Sequence, residues 1–550
     1  MQSNENNKNR GTHGDSSFML NEESLSSGNP PASAVGSVNF WETAKHKAEM
    51  EEISITENGA VGHKTSGHAL LDLNFAVASL RNASESEIET KFIKAYQEDP
   101  VMAVLWLFYV RDPRGGLGER RLFRICANWL SENQKEVFDK IVRLIPEYGR
   151  FDDWWNILPP ISAAYFVKEQ LKKDTAAMRR KQPISLLAKW MPSINTSSAK
   201  SKVNAHVFAR SLMLSDRNYR KMLSEMRAYL DVTERKMSSN DWKKIKYESV
   251  PSRANLIYND AFLKHDETRR RKYLDKVSAG ETKMNAGVLF PHDIIHSYVN
   301  SPEARLGGTD AGLEAMWKSL PDTVQGNGST IVVADGSGSM MARIGNTSIS
   351  ALEVANALAI YFSEHCRGQF KDRYITFSEN PRFVDFSGAK NLIDKYSIAR
   401  SHNEVANTNI KAVFDLILHT AIESGMHQKD IPANILIISD MEFDSCAVME
   451  AGNGWFRSRD ASPNKTLFAQ IENEYMAAGY KLPRIIFWNV NSRTATIPLR
   501  ENDLGVALVS GFSPNICKMV MSAKTDPYEL LVETLHSERY VPVMNALNAE

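Results

Sequence analysis

The 550-residue chain has few of the features that mark secreted, metal-stapled or membrane proteins. Its four cysteines, Cys126, Cys366, Cys446 and Cys517, stand far apart with no CxxC pair, which disfavours a zinc site or a disulfide framework. The longest uninterrupted apolar run, residues 101–110, is half the ~20 residues that a membrane-spanning helix needs. No basic-then-apolar signal sequence opens the chain. We therefore expect a cytoplasmic protein with no membrane partner.

Local catalytic motifs are also missing. The sequence has no GxxxxGK[ST] phosphate loop, no HExxH, and no GxSxG elbow, because glycines flank Ser337 immediately. We therefore expect that the protein is not an enzyme. One alternative stays open: Asp440, Glu442 and Asp444 follow a predicted strand and form an acidic trio, which together with Asp335 would suit a metal-dependent nuclease.

Charge is balanced overall but not along the chain. Lys and Arg equal Asp and Glu at 66 each, yet residues 101–300 contain 36 basic and 22 acidic side chains, so the rest carries the opposite excess. A basic middle between acidic flanks is typical of a module that binds a polyanion such as nucleic acid. Attraction between parts of the same chain would also produce this pattern.

The pattern of apolar residues divides the chain into three parts. Residues 1–65, rich in Asn, Ser, Gly and Glu, predict a flexible tail because they bury too little apolar surface to offset ordering. Residues 66–305 show helical periods broken by Pro, Gly and Asp, which predicts an all-α domain of stacked helical hairpins. Residues 325–545 alternate short β-branched runs with longer helical segments, which predicts an α/β domain with a parallel sheet.

Three runs in the last part, 331–334, 435–438 and 485–488, are apolar at every position, as expected of strands buried on both faces. The first is followed by Asp335-Gly-Ser337-Gly-Ser339 and the second by Ser439-Asp440. In open α/β sheets, ligands collect where such strands end, near the point at which the strand order reverses. Two carboxylates brought together there repel unless a cation lies between them. The pattern predicts a divalent cation site for Mg²⁺, with Mn²⁺ or Ca²⁺ as alternatives.

The DxSxS pattern, a distant threonine and an aspartate after a later strand resemble the metal-ion-dependent adhesion site of von Willebrand factor A domains. The resemblance implies a Rossmann-like α/β fold for residues 325–545. It also implies an open coordination position on the metal, which a carboxylate of a protein ligand can fill. The metal ligands that it implies, with the threonine taken from the loop 407–409, are Asp335, Ser337, Ser339, Thr408 and Asp440.

Several blocks in the middle of the chain are familiar as a set: 111–120 (RDPRGGLGER), 148–153 (YGRFDD), 188–192 (AKWMP), 219–221 (YRK) and 250–252 (VPS). As a set they resemble an uncharacterised, TROVE-like family that joins a helical region to a von Willebrand A domain, over most of residues 65–545. The architecture is also similar to that of the Ro family, a ring of HEAT-like helical repeats closed by such a domain. Because Ro proteins hold small noncoding RNAs, the resemblance implies a noncatalytic RNA-binding scaffold.

Basic residues gather at a glycine-rich turn and the start of a predicted helix, where guanidinium groups and backbone amides can meet phosphates. An alternative is that these side chains pair with Glu119, Asp152 and Asp153 and lock helices together, especially Arg111 and Arg120. The candidate RNA-binding residues are Arg111, Arg114, Arg120, Arg121, Arg124, Arg150, Lys189, Arg220 and Lys221.

Aromatic residues stand between these basic ones, and exposed rings can stack on unpaired bases. Filling of gaps between helices is the commoner use of such rings, and we expect it for most of them: Tyr148, Phe151, Trp154, Trp155 and Trp190. The functional alternatives to an RNA scaffold are a protein-only adaptor, which recognises its partner through the metal site, and the nuclease already mentioned.

Overall fold

Helices form most of the described chain up to residue 323. The computed structural model describes residues 53–55, 61–301, 308–323, 329–345, 347–404, 408–442, 463–493, 497–498, 506–513, 515–516 and 526–549. The described part of residues 52–550 belongs to one compact unit. The predicted division into a helical region and a later sheet is confirmed by the order of the elements.

The helical region contains seventeen α-helices in its described residues, several of them joined by single 3₁₀ turns. They are α1 Ala69–Phe75, α2 Val77–Leu80, α3 Glu85–Glu98, α4 Pro100–Arg111, α5 Arg121–Asn133, α6 Lys135–Ile141, α7 Ile145–Tyr148, α8 Trp154–Ile157, α9 Pro160–Arg179, α10 Leu187–Trp190, α11 Ala199–Ser211, α12 Asp216–Tyr229, α13 Thr233–Ser238, α14 Ser252–Ile257, α15 Asn259–Ser278, α16 Pro291–Asn300 and α17 Ala311–Lys318.

Local sequence explains where the central helix α4 begins and why it is buried. Asp99 caps it by accepting hydrogen bonds from the amides of Val101 and Met102, each 3.0 Å long, and Pro100 occupies the first turn. Every residue from Met102 to Arg111 is buried. The apolar run that is too short to cross a membrane is therefore a core helix, and none of the described helices is long and apolar enough to span a bilayer.

The second part contains a six-stranded sheet. Its strands are β3 Thr330–Asp335, β4 Arg373–Phe377, β5 Phe383–Asp385, β6 Asn434–Ser439, β7 Arg484–Asn489 and β8 Val506–Ser510, and its helices are α18 Ala351–His365, α19 Leu392–Ser401, α20 Ile410–Glu423, α21 Pro463–Ala477, α22 Pro527–Leu535 and α23 Val541–Asn548. The three predicted buried strands are confirmed as β3, β6 and β7, each with its apolar residues buried.

The strand order is β5-β4-β3-β6-β7-β8, and every pair is parallel except β4 with β5. The chain leaves β3 toward β4 on one side and later returns to β6 on the other. The order therefore reverses between β3 and β6, whose carboxyl ends carry Asp335 and Asp440. This is the position where open α/β sheets bind ligands.

The end of the chain returns to the helical region. Helices α22 and α23 pack against α4, and α23 also contacts α6. Arg539 forms an ion pair with Asp112 at 2.7 Å, and the Tyr148 hydroxyl donates a hydrogen bond to the carbonyl oxygen of Arg539. Buried residues of both regions form one continuous core. The C-terminal helices thus attach the sheet region to the helical region.

Part of the predicted tail has described structure. A two-stranded antiparallel sheet pairs β1 Ile53–Ile55 with β2 Val61–His63, and the backbone of His63 exchanges two hydrogen bonds with Ile497. Residues 1–52 and 56–60, on which most of the tail prediction falls, lie outside the described residues.

Candidate functional site

The loop that follows β3 folds its polar side chains together. The amide of Ser337 donates a 2.9 Å hydrogen bond to Asp335 Oδ1, and the Ser337 and Ser339 hydroxyl oxygens lie 3.0 Å apart. A Cβ at Gly336 would lie 3.0 Å from the Cα of Asn403, so a larger residue there would crowd the neighbouring loop. The loop therefore places one carboxylate and two hydroxyls in a single small region.

Strand β6 brings a second carboxylate to the same place. Ser439 donates a 2.6 Å hydrogen bond from its hydroxyl to Asp335 Oδ2, and Asp440 follows it in the chain. Burial, and then the charge of Asp440, raise the pKa of Asp335 to about 7. Burial likewise raises the pKa of Asp440. Two charged carboxylates are unfavourable in this position without a cation.

Three buried polar atoms near the carboxyl ends of these strands lack a hydrogen-bond partner among the described residues: Asp440 Oδ2, Ser378 Oγ and Asn403 Nδ2. Ser378 follows β4, next to β3 in the sheet, and its carbonyl oxygen accepts a hydrogen bond from the amide of Asn409 beside Thr408. Thr408 itself is buried. The structure thus brings Asp335, Ser337 and Ser339 together with Ser439 and Asp440, while Thr408 lies in a loop tied to the neighbouring strand.

The donor set consists of two carboxylates and several hydroxyls. Among the described residues no three His, Cys, Asp or Glu side chains form a metal-binding group, so a cation here would depend on hydroxyl oxygens and water to complete its shell. Oxygen ligands of this kind suit a hard divalent ion. The residues present therefore fit such an ion, and Asp440 Oδ2, which accepts no hydrogen bond from the described residues, is the atom that most directly suggests a ligand.

Other charged groups at this edge were not expected. Arg493, in the loop after β7, places Nη2 3.7 Å from Asp440 Oδ2. Glu442 directs Oε1 to the amide of Arg493 at 2.9 Å and to the hydroxyl of Ser492 at 3.4 Å. The predicted acidic trio is not brought together as one group. Asp440 lies beside the loop 335–339, and Glu442 holds the loop after β7 through Ser492 and Arg493. Asp444 lies outside the described residues.

A cavity of about 2200 Å³ lies between the helical region and the sheet region. Among the described residues, its wall contains twelve arginines and lysines against five glutamates and aspartates, so it carries a large positive excess. The cations are Arg81, Arg111, Arg114, Arg120, Arg121, Arg124, Arg150, Lys189, Arg220, Arg227, Arg235 and Arg253, and the acids are Glu85, Glu89, Glu119, Glu234 and Asp293.

Some of these cations are committed to the fold. Arg111 is buried and binds Asp153 Oδ2 at 2.9 Å, and Arg124 binds the other oxygen of the same carboxyl group at 2.7 Å. A Cβ on Gly149 would lie 2.5 Å from Asp153 Oδ2, so glycine is needed for this pair to form. Arg121 donates to the carbonyl oxygens of Leu80 and Ala83. These side chains hold helices together while they also contribute positive charge to the wall.

Arg150 and Lys189 both lie near the ring of Trp190. Arg150 pairs with Asp152 and its guanidinium lies 4.1 Å from the ring centre of Trp190. Lys189 lies 6.0 Å from the same ring and 3.5 Å from a carboxylate oxygen of Glu234. Both residues keep an attractive interaction with an aromatic ring as well as with an acid.

Three exposed arginines are much less engaged. Arg120 has no acidic partner within ion-pair distance in the described part of the chain, although Glu119 beside it pairs with Arg81. Part of the Arg120 side chain reaches solvent, but the wall around its guanidinium partly desolvates it and lowers its pKa, and the charges of Arg150, Arg111 and Arg124 lower that pKa further. Arg114 makes a 3.3 Å hydrogen bond to the carbonyl oxygen of Glu147, and Arg220 is exposed at the wall. Uncompensated positive charge of this kind favours an anion.

Eight of the nine basic residues singled out in the sequence line the cavity. The ninth, Lys221, is 75% exposed, lies outside the wall and faces Glu225. The sequence reasoning missed four other arginines of the wall, Arg81, Arg227, Arg235 and Arg253. They are spread over 170 residues, and no local pattern in the sequence distinguishes them from surface arginines.

Most of the five aromatic residues fill gaps between helices, as expected. Tyr148, Trp154 and Trp155 are buried, Phe151 is partly exposed and packs edge-on against Trp154, and Trp190 is partly exposed and lines the cavity. Two exposed apolar side chains also lie in the wall: Leu186, 50% exposed, and Ile257, 62% exposed. The cavity thus combines cationic groups with accessible flat and apolar surface.

Comparison with known proteins gives domain families without an assigned function. Residues 329–540 match a model described as Domain of unknown function (DUF7788), and residues 56–136 and 152–330 match Domain of unknown function (DUF2828). Among solved structures, the RO (RSR) protein of Deinococcus radiodurans matches 82% of this chain and 92% of that chain at 12% identity and a TM-score of 0.33. At that TM-score the likeness carries no weight for fold or function.

A relative across the whole length comes from Acanthamoeba polyphaga mimivirus. Its uncharacterized protein L728 is 30% identical over 545 residues, which span 91% of this chain and 90% of the viral one. The chain therefore belongs to the same family as this uncharacterized viral protein.

Proposed function

We propose that this protein is an RNA-binding scaffold in which the basic cavity holds the RNA. In this proposal the helical region is a HEAT-like, TROVE-like scaffold, and the sheet region is a von Willebrand A-type domain whose loop Asp335–Ser339 binds a divalent cation. The observation that carries the proposal is the excess of twelve cations over five acids in the cavity wall. Phosphates are the commonest anions able to compensate such an excess along an extended ligand.

The arginines of the wall fall into two groups according to their hydrogen bonds and ion pairs. Arg111 and Arg124 neutralise Asp153 and keep the helices in place, whereas Arg114, Arg120 and Arg220 are exposed and have no acidic partner in the described residues. The second group is available to phosphates without dismantling the fold. A guanidinium group binds phosphate oxygens through two parallel hydrogen bonds, which suits it to this role.

The apolar part of the wall favours RNA with unpaired bases. The partly exposed ring of Trp190 and the exposed side chains of Leu186 and Ile257 offer surfaces for bases, which a duplex would hide. Small noncoding RNAs with single-stranded segments are therefore the proposed ligands. The scaffold role requires no chemical step on the RNA.

The metal site has a separate part in the proposal. Asp335, Ser337, Ser339 and Asp440, with Thr408 from the adjoining loop, would hold Mg²⁺, or Mn²⁺ or Ca²⁺ in its place. A bound ion would remove the repulsion between the two buried carboxylates and would offer an open coordination position to an acidic group of a protein ligand. The chain's own residues fix the geometry through the Ser439 to Asp335 and Ser337 to Asp335 hydrogen bonds.

The test is purification of the full chain at low salt, followed by extraction and sequencing of bound nucleic acid. Wild type is compared with a variant in which Arg114, Arg120 and Arg220 become Gln, and with a control in which three exposed arginines outside the wall, Arg271, Arg373 and Arg382, become Gln. Discrete RNAs bound to wild type and to the control, and lost from the cavity variant, are expected. Equal RNA content in all three would contradict the proposal.

The same preparation tests the alternatives. Wild type free of RNA, but with an acidic protein that the cavity variant loses, would favour the protein-only adaptor. Shortening of the bound RNA on addition of Mg²⁺, prevented by Asp335→Asn, would favour the nuclease.

A further inference from the structure

A serine, a histidine and a glutamate form a hydrogen-bonded chain where the helical region meets the sheet region. His296 lies on α16, Glu353 lies in the first turn of α18, and Ser348 lies in the loop just before α18. His296 Nδ1 lies 2.8 Å from Glu353 Oε1, and His296 Nε2 lies 3.0 Å from Ser348 Oγ. Both distances are those of good hydrogen bonds.

Glu353 determines which ring nitrogen of His296 accepts a hydrogen bond. A carboxylate accepts hydrogen bonds, so Glu353 holds the proton of His296 on Nδ1 and leaves Nε2 as the acceptor for the Ser348 hydroxyl. Exposure rises along the chain of residues: the side chain of Glu353 is 13% exposed, that of His296 28%, and Ser348 is exposed. The orienting acid is thus the most protected member and the hydroxyl the most accessible.

Rigid surroundings keep the three groups in place. Helices α16 and α18 pack against each other, and the amide of Glu353 donates to Ser350 Oγ, which caps α18. The backbone of the loop is fixed by hydrogen bonds from Ile344 N to Ile349 O and from Ala351 N to Ala342 O. A nucleophile, a base and an orienting acid on supported elements match the arrangement of serine hydrolases, which is recognised by geometry rather than by order in the chain.

We propose that Ser348 is an activated nucleophile that cleaves carboxylic esters, with His296 as the general base and Glu353 as a positioning residue. This activity goes beyond the proposed RNA binding and does not depend on it. Because Ser348 is exposed, an ester can reach its hydroxyl from solvent, and the substrate class that we assign is a small acyl ester, which needs no deep acyl pocket.

Ser348 is accessible to an ester, and it lies near the positive end of helix α18. Thr347 and Ile349, on either side of Ser348, line the large cavity, whereas Ser348 is exposed and is not part of its wall. The fifteen-residue helix α18 begins at Ala351, three residues after Ser348, and the positive end of a helix stabilises negative charge near its first turn. Ser348 is itself exposed, so an ester that reaches its hydroxyl from solvent would develop its oxyanion near that end.

The reaction balances with water alone. Ser348 Oγ attacks the ester carbonyl carbon while its proton moves to His296 Nε2, and the alcohol leaves with that proton to give an acyl group on Ser348. Water then attacks the acyl carbon and gives a proton to Nε2, and Ser348 Oγ leaves and recovers it. The products are a carboxylic acid and an alcohol, and nothing is oxidised or reduced.

The experiment uses the full chain and a fluorophosphonate probe, which reacts with activated serines, with the labelled residue mapped by peptide mass spectrometry. We expect labelling at Ser348 that is lost in Ser348→Ala and falls about 100-fold in His296→Gln, the size expected when a general base is removed. Turnover of p-nitrophenyl acetate should fall in parallel. In Glu353→Gln we expect kcat to fall with KM unchanged, because Glu353 orients the base and does not touch the ester.

Ser401 supplies an internal control. Its hydroxyl is exposed and lies 3.2 Å from Nδ1 of the half-buried His402, but that nitrogen is 2.8 Å from the carbonyl oxygen of Ile398, to which it can only donate, so it is not free to accept the serine proton. Ser401 should therefore remain unlabelled. Absence of label at Ser348 in the folded wild type, or a labelling rate unchanged by His296→Gln, would overturn the proposal. Because Ser348→Ala removes only an exposed hydroxyl, its melting temperature should match wild type, so a loss of label cannot be assigned to unfolding.

Discussion

Arg111 and Asp153 form a buried ion pair, with Arg111 Nη2 2.9 Å from Asp153 Oδ2 and exposed fractions of 4% and 0%. Arg124 uses the second oxygen of the same carboxyl group. Asp153 thus compensates two arginines of the cavity wall and leaves Arg120 without an acid of its own in the described residues. Arginines that stabilise the fold are therefore neighbours of arginines that we propose to bind the ligand. Substitutions can distinguish the two groups by their effects on stability and on binding.

Replacement of Asp153 should lower the free energy of unfolding. Asp153→Ala leaves Arg111 buried without a counter-charge, which costs about 3 to 5 kcal/mol of unfolding free energy when a buried ion pair loses one partner. The measurement is the denaturant midpoint of the full chain. Glu169→Ala is the control, because Glu169 pairs with Arg143 at the surface, where the side chains are 33% and 49% exposed, and such pairs contribute at most about 1 kcal/mol. Equal shifts for the two variants would contradict the structural role of Asp153.

Mg²⁺ should stabilise the wild type through Asp335. An ion at one hundred times its dissociation constant adds about 2.7 kcal/mol, seen as a rise in melting temperature that a chelator reverses. Asp335→Asn should abolish the rise and, in chelator, should be at least as stable as wild type, because it removes one of two buried carboxylates that repel. Asp415→Asn, in a surface pair with Lys411, is the control and should keep the rise. A full Mg²⁺ response in Asp335→Asn would refute the site.

His292 should make stability depend on pH in the acid range. Burial lowers its pKa to about 4, and its Nδ1 has no hydrogen-bond partner among the described residues. The unfolded chain binds this proton near pH ~6.5, so the contribution of neutral His292 is complete above that pH and is lost as pH falls toward 4. Its full size is about 3 kcal/mol at 1.36 kcal/mol per pKa unit.

The difference between wild type and His292→Leu isolates this contribution from other groups that titrate in the same range. Between pH 7 and pH 4, wild type should lose more unfolding free energy than His292→Leu. The difference between the two losses should be most of the about 3 kcal/mol that His292 contributes. Identical pH profiles for the two proteins would show that His292 is not buried in its neutral form.

Trp190 should contribute to binding of unpaired bases. Loss of one stacking ring costs about 1 to 3 kcal/mol per base, so Trp190→Leu should weaken binding of a single-stranded RNA by about tenfold or more and leave a duplex unaffected. Trp242→Leu is the control, because Trp242 stacks on His265 and lies outside the cavity wall. Equal effects of the two substitutions, measured by fluorescence anisotropy, would show that Trp190 does not contact bases.

The broad division of the chain could be predicted from the sequence because period and composition change at its boundaries. The runs 331–334, 435–438 and 485–488 have no polar residue, and their short length and β-branched or aromatic content favour strands buried on both faces over a buried helix such as α4. The convergence of Asp335 with Asp440 followed from the rule that parallel strands end at one edge. These inferences need only local pattern and general topology.

The cavity could not be predicted in the same way. Arg81, Arg227, Arg235 and Arg253 reach one wall only after many helices have packed, and nothing local to them differs from a surface arginine. Glu119 was a natural partner for the adjacent Arg120, yet it pairs with Arg81 instead. The chain of Ser348, His296 and Glu353 likewise joins two segments, so a search for local catalytic motifs does not find it.

The central claim is that the cavity binds RNA through Arg114, Arg120 and Arg220, and the salt dependence of affinity tests it most directly. Each phosphate contact contributes about −0.7 to the slope of log affinity against log salt concentration for single strands. Changing the three arginines to Gln should therefore reduce the slope by about 2, while the change of Arg271, Arg373 and Arg382 to Gln leaves it unchanged. Identical slopes for wild type and the cavity variant would contradict the claim.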